Sequence, residues 1–194
     1  MSSHRSILAA SVLALLVSVP LQAQRTAIDS AIAATQSAFG ALQARDFDGF
    51  AAAMHPEALA QFGTMVGPFL RMAGQQQTES MADMLQLFGV KTAAELADLQ
   101  PEQLFAGFMR VSMAGLDSVE LGAPEIIGGL AEGDSLVHVV YRMGVSAGGQ
   151  AYSNVSLASL KRWQGRWKLM LSGSLDGMVQ PFGALGSGDP VPEQ

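Results

Sequence analysis

The chain has 194 residues, of which 49% are hydrophobic and 14% charged, and it contains no cysteine. This composition excludes a disordered or disulfide-stapled protein and fits one globular domain, or at most two. The formal net charge of −6 argues against electrostatic binding of nucleic acid or of an anionic membrane surface. We therefore expect no nucleic-acid partner.

The N-terminal segment has the order of regions found in secretory signal peptides. A short basic start precedes an apolar stretch over residues 7–19, and the residues up to Ala23 close it. The stretch is shorter than the roughly 20 residues of a membrane-spanning helix. We therefore predict a signal peptide over residues 1–23, cleaved after Ala23, and an exported protein, periplasmic or secreted, with no integral membrane segment after cleavage. An uncleaved anchor and a buried N-terminal helix are the alternatives.

The first half of the mature chain has the apolar periodicity of amphipathic helices. Asp46 is the predicted N-cap of the second helix, and His55 before Pro56 ends it. Gly67-Pro68 is expected to kink or split the third helix. Thr92 and Glu95, three residues apart, predict a capping box. The predicted helices cover residues 26–45, 46–54, 57–72, 81–88, 92–99 and 101–114.

From about Asp117 the period changes to the alternation of strands, with glycine-rich turns between them. Pro124 places the first strand at a sheet edge, and Gln164-Gly165 predicts a tight hairpin. Gly128-Gly129 is expected to end the first strand. The predicted strands cover residues 118–127, 136–144, 151–163 and 166–172. Together the elements predict an α+β fold, in which N-terminal helices pack on a curved antiparallel four-stranded meander, followed by a flexible tail over residues 179–194.

Three segments resemble the nuclear transport factor 2-like superfamily, also called SnoaL-like or cystatin-like α+β cones. They are residues 45–50 between the first two helices, residues 55–57 after the second, and the hairpin 160–169. The resemblance covers residues 26–172. It implies a sheet wrapped around helices with a pocket at the open end, hence a single cone domain over residues 24–178. A helical insertion over about residues 57–114 is expected to cap that pocket.

The chain differs from the enzymatic members of this superfamily in its candidate catalytic residues. Such enzymes look as though they use a tyrosine on the early helices and acids on the following segment and the sheet, whereas Tyr141 and Tyr152 both lie in predicted strands. The acid-base arrangement therefore does not carry over, and we predict no catalytic residue. The alternative is an isomerase or hydrolase in the cone pocket, with Tyr141 as a hydrogen-bond donor and Asp83 or Glu102 as the base. Both acids occupy positions typical of a solvated helix face.

The histidines do not predict a metal site. His55 and His138 are the two that remain after cleavage, and no second histidine stands at ligand spacing. His55 is expected to cap the second helix or to hydrogen-bond a turn. Alternation along the second strand places Tyr141 inward and His138 with Arg142 outward. We predict no metal and no cofactor.

The function predicted from these observations is non-catalytic binding. We expect an exported protein that binds a small hydrophobic molecule or a protein partner, and a homodimer through the convex face of the sheet is the structural alternative. The eleven methionines would suit an adaptable lipophilic pocket as well as a core. The pocket residues predicted from their position and apolar character are Phe50, Met109, Tyr141, Met143, Leu157 and Trp167.

Overall fold

A computed structural model of the protein describes the backbone of residues 5–73, 79–114, 119–147 and 149–171, and the side chains of these residues except 5–21, 69–73, 79–81 and 147. The predicted tail and most of the predicted break after the third helix lie outside the described residues. Six helices precede the strands: α1 (Arg5–Gln43), α2 (Phe47–Ala53), α3 (Pro56–Ala73), α4 (Glu79–Leu87), α5 (Ala93–Ala97) and α6 (Pro101–Met113).

Five strands form one antiparallel sheet: β1 (Val119–Leu121), β2 (Glu125–Glu132), β3 (Leu136–Ala147), β4 (Gln150–Trp163) and β5 (Arg166–Leu169). β1 and β2 pair with successive parts of the same edge of β3, so the sheet is four strands wide. It curves into a half-barrel against the helices. The predicted α+β class is confirmed.

The core lies between the helices and the inner face of the sheet. Val137 and Val139 of β3 and Leu160 of β4 are 0% exposed. The predicted alternation of β3 is confirmed, because Tyr141 is also buried, whereas Arg142 is exposed and ion-paired with Glu125 outside the core. On the helical side, a cluster of rings fills the space between α3 and α6: Phe62 contacts Phe105 and Phe108, each at a centroid distance of 5.0 Å.

The first predicted strand differs from the observed one. Gly128 and Gly129 do not end it, and this prediction was wrong: the interruption falls at Pro124, between β1 and β2, and β2 continues through both glycines. Pro124 has no N–H for the ladder, which explains the interruption and the edge position. Gly129 faces inward, where a Cβ atom would lie 2.6 Å from the Cγ2 atom of Ile28 on α1. Glycine is present there because the helix lies close to the strand.

Pro68 lies inside α3, which continues through it, so the predicted split does not occur. Phe62 and Val66 are 1% and 3% exposed, so the turns before the proline are held by burial of their apolar face. That burial offsets the backbone hydrogen bond that a proline removes. α1 is also longer than predicted, because its helix runs without a break through the predicted cleavage position at Ala23.

The sequence signals at turns and helix ends agree with the structure more closely than those within the first strand and α3. The Asp46 carboxylate accepts a hydrogen bond from the Gly49 N–H at 2.9 Å, which confirms its N-cap role. The Thr92 hydroxyl accepts a hydrogen bond from the Glu95 N–H. The Glu95 carboxylate accepts one from the Lys91 N–H at 2.8 Å, one residue before the Thr92 N–H that a capping box predicts. The Gln164-Gly165 turn joins paired Trp163 and Arg166, and both turn residues have positive φ, at 49° and 79°.

Candidate functional site

The six residues predicted to line a pocket do not surround one space. Phe50, Met109 and Tyr141 are 8%, 3% and 8% exposed and belong to the core. Tyr141 packs against the Phe39 ring at 4.8 Å, which ties it to α1. These three side chains therefore pack against other residues of the core.

The other three predicted pocket residues lie apart. Met143 and Trp167 are half-buried against the core, but they stand at opposite ends of the sheet: their partners on β4 are residues 154 and 162. Leu157 lies on the other face of the sheet from the helices, next to Val140, and is 47% exposed. The structure therefore does not bring Leu157 together with the inward residues.

Apolar side chains are left uncovered on the outer face of the sheet. Leu130 is 67% exposed, and Ile127, Val155 and Leu157 are 50%, 51% and 47% exposed. A shallow cavity of about 420 Å³ lies among residues 127–130, His138, Val140 and Leu157. We call these apolar side chains the outer patch: Ile127, Leu130, Val140, Val155 and Leu157.

Three polar side chains form a hydrogen-bonded chain beside the outer patch. His138 Nδ1 lies 3.0 Å from the Ser159 hydroxyl, and His138 Nε2 lies 3.0 Å from a Glu132 carboxylate oxygen. This order of groups is the one that activates a serine nucleophile in hydrolases. Here, however, the serine stands within a regular strand, where its backbone pairs with His138 of β3, rather than at a turn or helix N-terminus, where backbone N–H groups are free to form an oxyanion hole. The hydrogen bonds from His138 to Ser159 and Glu132 link β2, β3 and β4.

Tyr141 and the two predicted base candidates are separated. Burial raises the pKa of the Tyr141 hydroxyl, and a hydrogen bond with Ser156 opposes that shift. Asp83 and Glu102 are exposed on α4 and α6, as expected for solvated helix faces. Asp83 borders a crevice near Arg110. Over the described residues, no three His, Asp or Glu side chains are grouped so that they could hold a metal ion.

His55 is a buried histidine with a structural position. It is 4% exposed, its Nδ1 atom accepts a hydrogen bond from the Glu57 N–H at 3.1 Å, and its ring meets Trp163 edge-on at 5.5 Å. Burial lowers the pKa of His55, and the Lys161 cation lowers it further, while the Glu57 carboxylate acts in the opposite direction. The predicted turn hydrogen bond is confirmed, but it lies at the start of α3, so His55 does not cap the second helix as the alternative prediction had it. The contact with Trp163 has no signal in the sequence.

Two grooves lie away from the outer patch. One, of about 610 Å³, lies between α3, α5 and α6, and small or apolar side chains such as Ala60, Leu96 and Leu104 form its walls. The other, of about 640 Å³, lies between α1 and the hairpin of β4 and β5, and it is bordered by Arg162, Arg166 and Trp167. The two arginines are binding candidates that sequence reasoning missed, although the hairpin register that pairs Arg162 with Trp167 could have indicated the first of them.

Comparison with known proteins identifies no family for this chain. No protein-family model matches the chain, and no curated protein sequence matches it significantly. In the part of the chain that the structure describes, no helix is both long and apolar enough to cross a membrane. The resemblance to nuclear transport factor 2-like proteins therefore stays a prediction.

Proposed function

We propose that this chain is an exported, non-catalytic binding protein of the nuclear transport factor 2-like type, which binds a small hydrophobic molecule and pairs with a second copy of itself. The outer patch carries the pairing part of this proposal. Its exposed apolar side chains lie together on one face of a regular sheet, and a contiguous apolar surface of this kind is typical of an interaction site.

Charge favours a second copy as the occupant of the outer patch. Glu125 and Glu132 lie on the β2 side of the outer face, whereas Lys161 and Lys168 lie on the β5 side, where the Lys161 ammonium group also pairs with Glu57 of its own chain. A two-fold axis parallel to the strands would place the β2 side of one protomer over the β5 side of the other. Opposite charges would then meet at both rims around an apolar centre, as in an isologous interface.

Self-association is tested by light scattering coupled to size-exclusion chromatography. The wild-type protein is expected at twice the chain mass, and Leu157→Glu is expected at the mass of one chain, because it places a charge in the outer patch. Leu87→Glu is the matched control, since Leu87 is 36% exposed on α4, away from the sheet. A monomeric wild-type protein, or a dimeric Leu157→Glu variant, would contradict the pairing.

Catalysis in the cone is the alternative function. It would need the Tyr141 hydroxyl and a carboxylate to reach one substrate. Tyr141 is 8% exposed and engaged with Ser156, while Asp83 and Glu102 face solvent on other elements. These positions favour binding over proton transfer. Turnover of an enolisable ketone or an ester that is abolished by Tyr141→Phe would establish the enzyme instead.

A further inference from the structure

The groove between α1 and the β4–β5 hairpin has the composition of a binding site for an amphiphilic anion. Arg162 and Trp167 are directly paired across the two strands, and the short turn brings Arg166 to the same end. The α1 wall opposite them consists of alanines together with Thr26 and Ser30. The groove, of about 640 Å³, is in the size range of small-molecule sites.

The two guanidinium groups are the charged hydrogen-bond donors that border this groove. Within the described ranges, neither Arg162 nor Arg166 has an ion-pair or hydrogen-bond partner for its side chain. The Ser30 hydroxyl donates to the carbonyl oxygen of Thr26 at 2.7 Å, whereas the Thr26 hydroxyl donates at 3.0 Å to Gln22, a residue that the predicted cleavage removes. An anion in the groove would therefore be bound by the arginines.

The local charge also favours an anion, despite the negative charge of the whole chain. Arg162 and Arg166 both border the groove, and no acidic residue occurs in the sequence between Asp134 and Asp176. Asp29, the acid on the adjoining part of α1, is exposed and is not part of the groove wall. Arginine also binds carboxylates through two parallel hydrogen bonds, which fixes their orientation.

We propose that this groove binds a small carboxylate with an apolar body, such as a medium-chain fatty acid, with the carboxylate on Arg162 and Arg166 and the apolar body along Trp167 and the α1 alanines. The inference rests on the proposed binding function and names its ligand class. Cleavage after Ala23 would remove that alanine from the groove wall and leave Thr26, Ala27, Ser30 and Ala34 of α1 in place.

The test uses protein expressed as the full chain, so that the host performs any processing, and isothermal titration calorimetry with octanoate and with 1-octanol. Octanoate is expected to bind more tightly than the alcohol, and more weakly as salt is added. Arg162→Gln and Arg166→Gln are each expected to weaken octanoate binding about tenfold, the loss expected for one charge-assisted hydrogen-bonded contact.

Arg142→Gln is the matched control, because it removes the same charge from the outer face, where Arg142 pairs with Glu125 at 2.8 Å. It is expected to leave octanoate binding unchanged. Equal binding of octanoate and 1-octanol, with no effect of the arginine variants, would overturn the anion site while leaving apolar binding in place. Binding of neither compound would overturn both the anion site and the proposed small-molecule function.

Discussion

Two adjacent glycines on β2 give opposite stability predictions, and together they test the packing of α1 on the sheet. A Cβ atom at Gly129 would lie 2.6 Å from the Cγ2 atom of Ile28, whereas a Cβ atom at Gly128 would have no atom within 4 Å. Without a steric conflict, replacing a strand glycine by alanine stabilises by about 0.5–1 kcal/mol. Overpacking a filled core costs about 1–3 kcal/mol.

We therefore expect Gly128→Ala to raise the free energy of unfolding by about 0.5–1 kcal/mol. Gly129→Ala should lower it by up to about 2 kcal/mol, since the conflict with Ile28 outweighs the gain in chain entropy. Urea unfolding followed by circular dichroism measures both values. In an Ile28→Ala background the penalty of Gly129→Ala should disappear, because the atom it meets is gone. Equal stabilisation by the two glycine substitutions would refute the close packing of α1 on β2.

Three further predictions follow, two from the structure and one from the N-terminal sequence. Burial lowers the pKa of His55 in the folded protein, so on acidification the His55 side chain of the unfolded chain takes up a proton first. The stability that the neutral His55 gives above about pH 6.5 should therefore be lost as the pH falls through the folded pKa. Urea midpoints at pH 7.5 and pH 5 should show a smaller difference in His55→Asn. Phe62→Ala should cost about 3–5 kcal/mol, because its ring contacts two others at 5.0 Å, and a loss below 1 kcal/mol would contradict that packing. N-terminal sequencing of fractionated protein should give Gln24 outside the cytoplasm, and intact Met1 in the cytosol would exclude export.

Local sequence signals predicted the elements that depend on near neighbours. Alternation placed Val137 and Val139 inward, and both are 0% exposed. The two-residue turn before Arg166 and the N-cap at Asp46 were also predicted, because each depends on a few adjacent residues. The α+β class followed from the change of period near residue 117.

Features that depend on distant parts of the chain were missed. Gly129 was taken as a turn signal because its reason for being glycine lies on α1, about 100 residues earlier. Leu157 was placed inward because it is apolar, but both faces of β4 carry apolar side chains, so hydrophobicity alone could not assign its face. Arg162 and Arg166 have no motif, and their relation to α1 arises only when the helix packs beside the hairpin.

Native mass spectrometry of the processed protein, purified without detergent, tests binding and pairing in one measurement. We predict a dimer that is absent in Leu157→Glu, and a mass increase on addition of octanoate that is reduced in Arg162→Gln. A monomer without added mass at every protein and octanoate concentration would contradict the account.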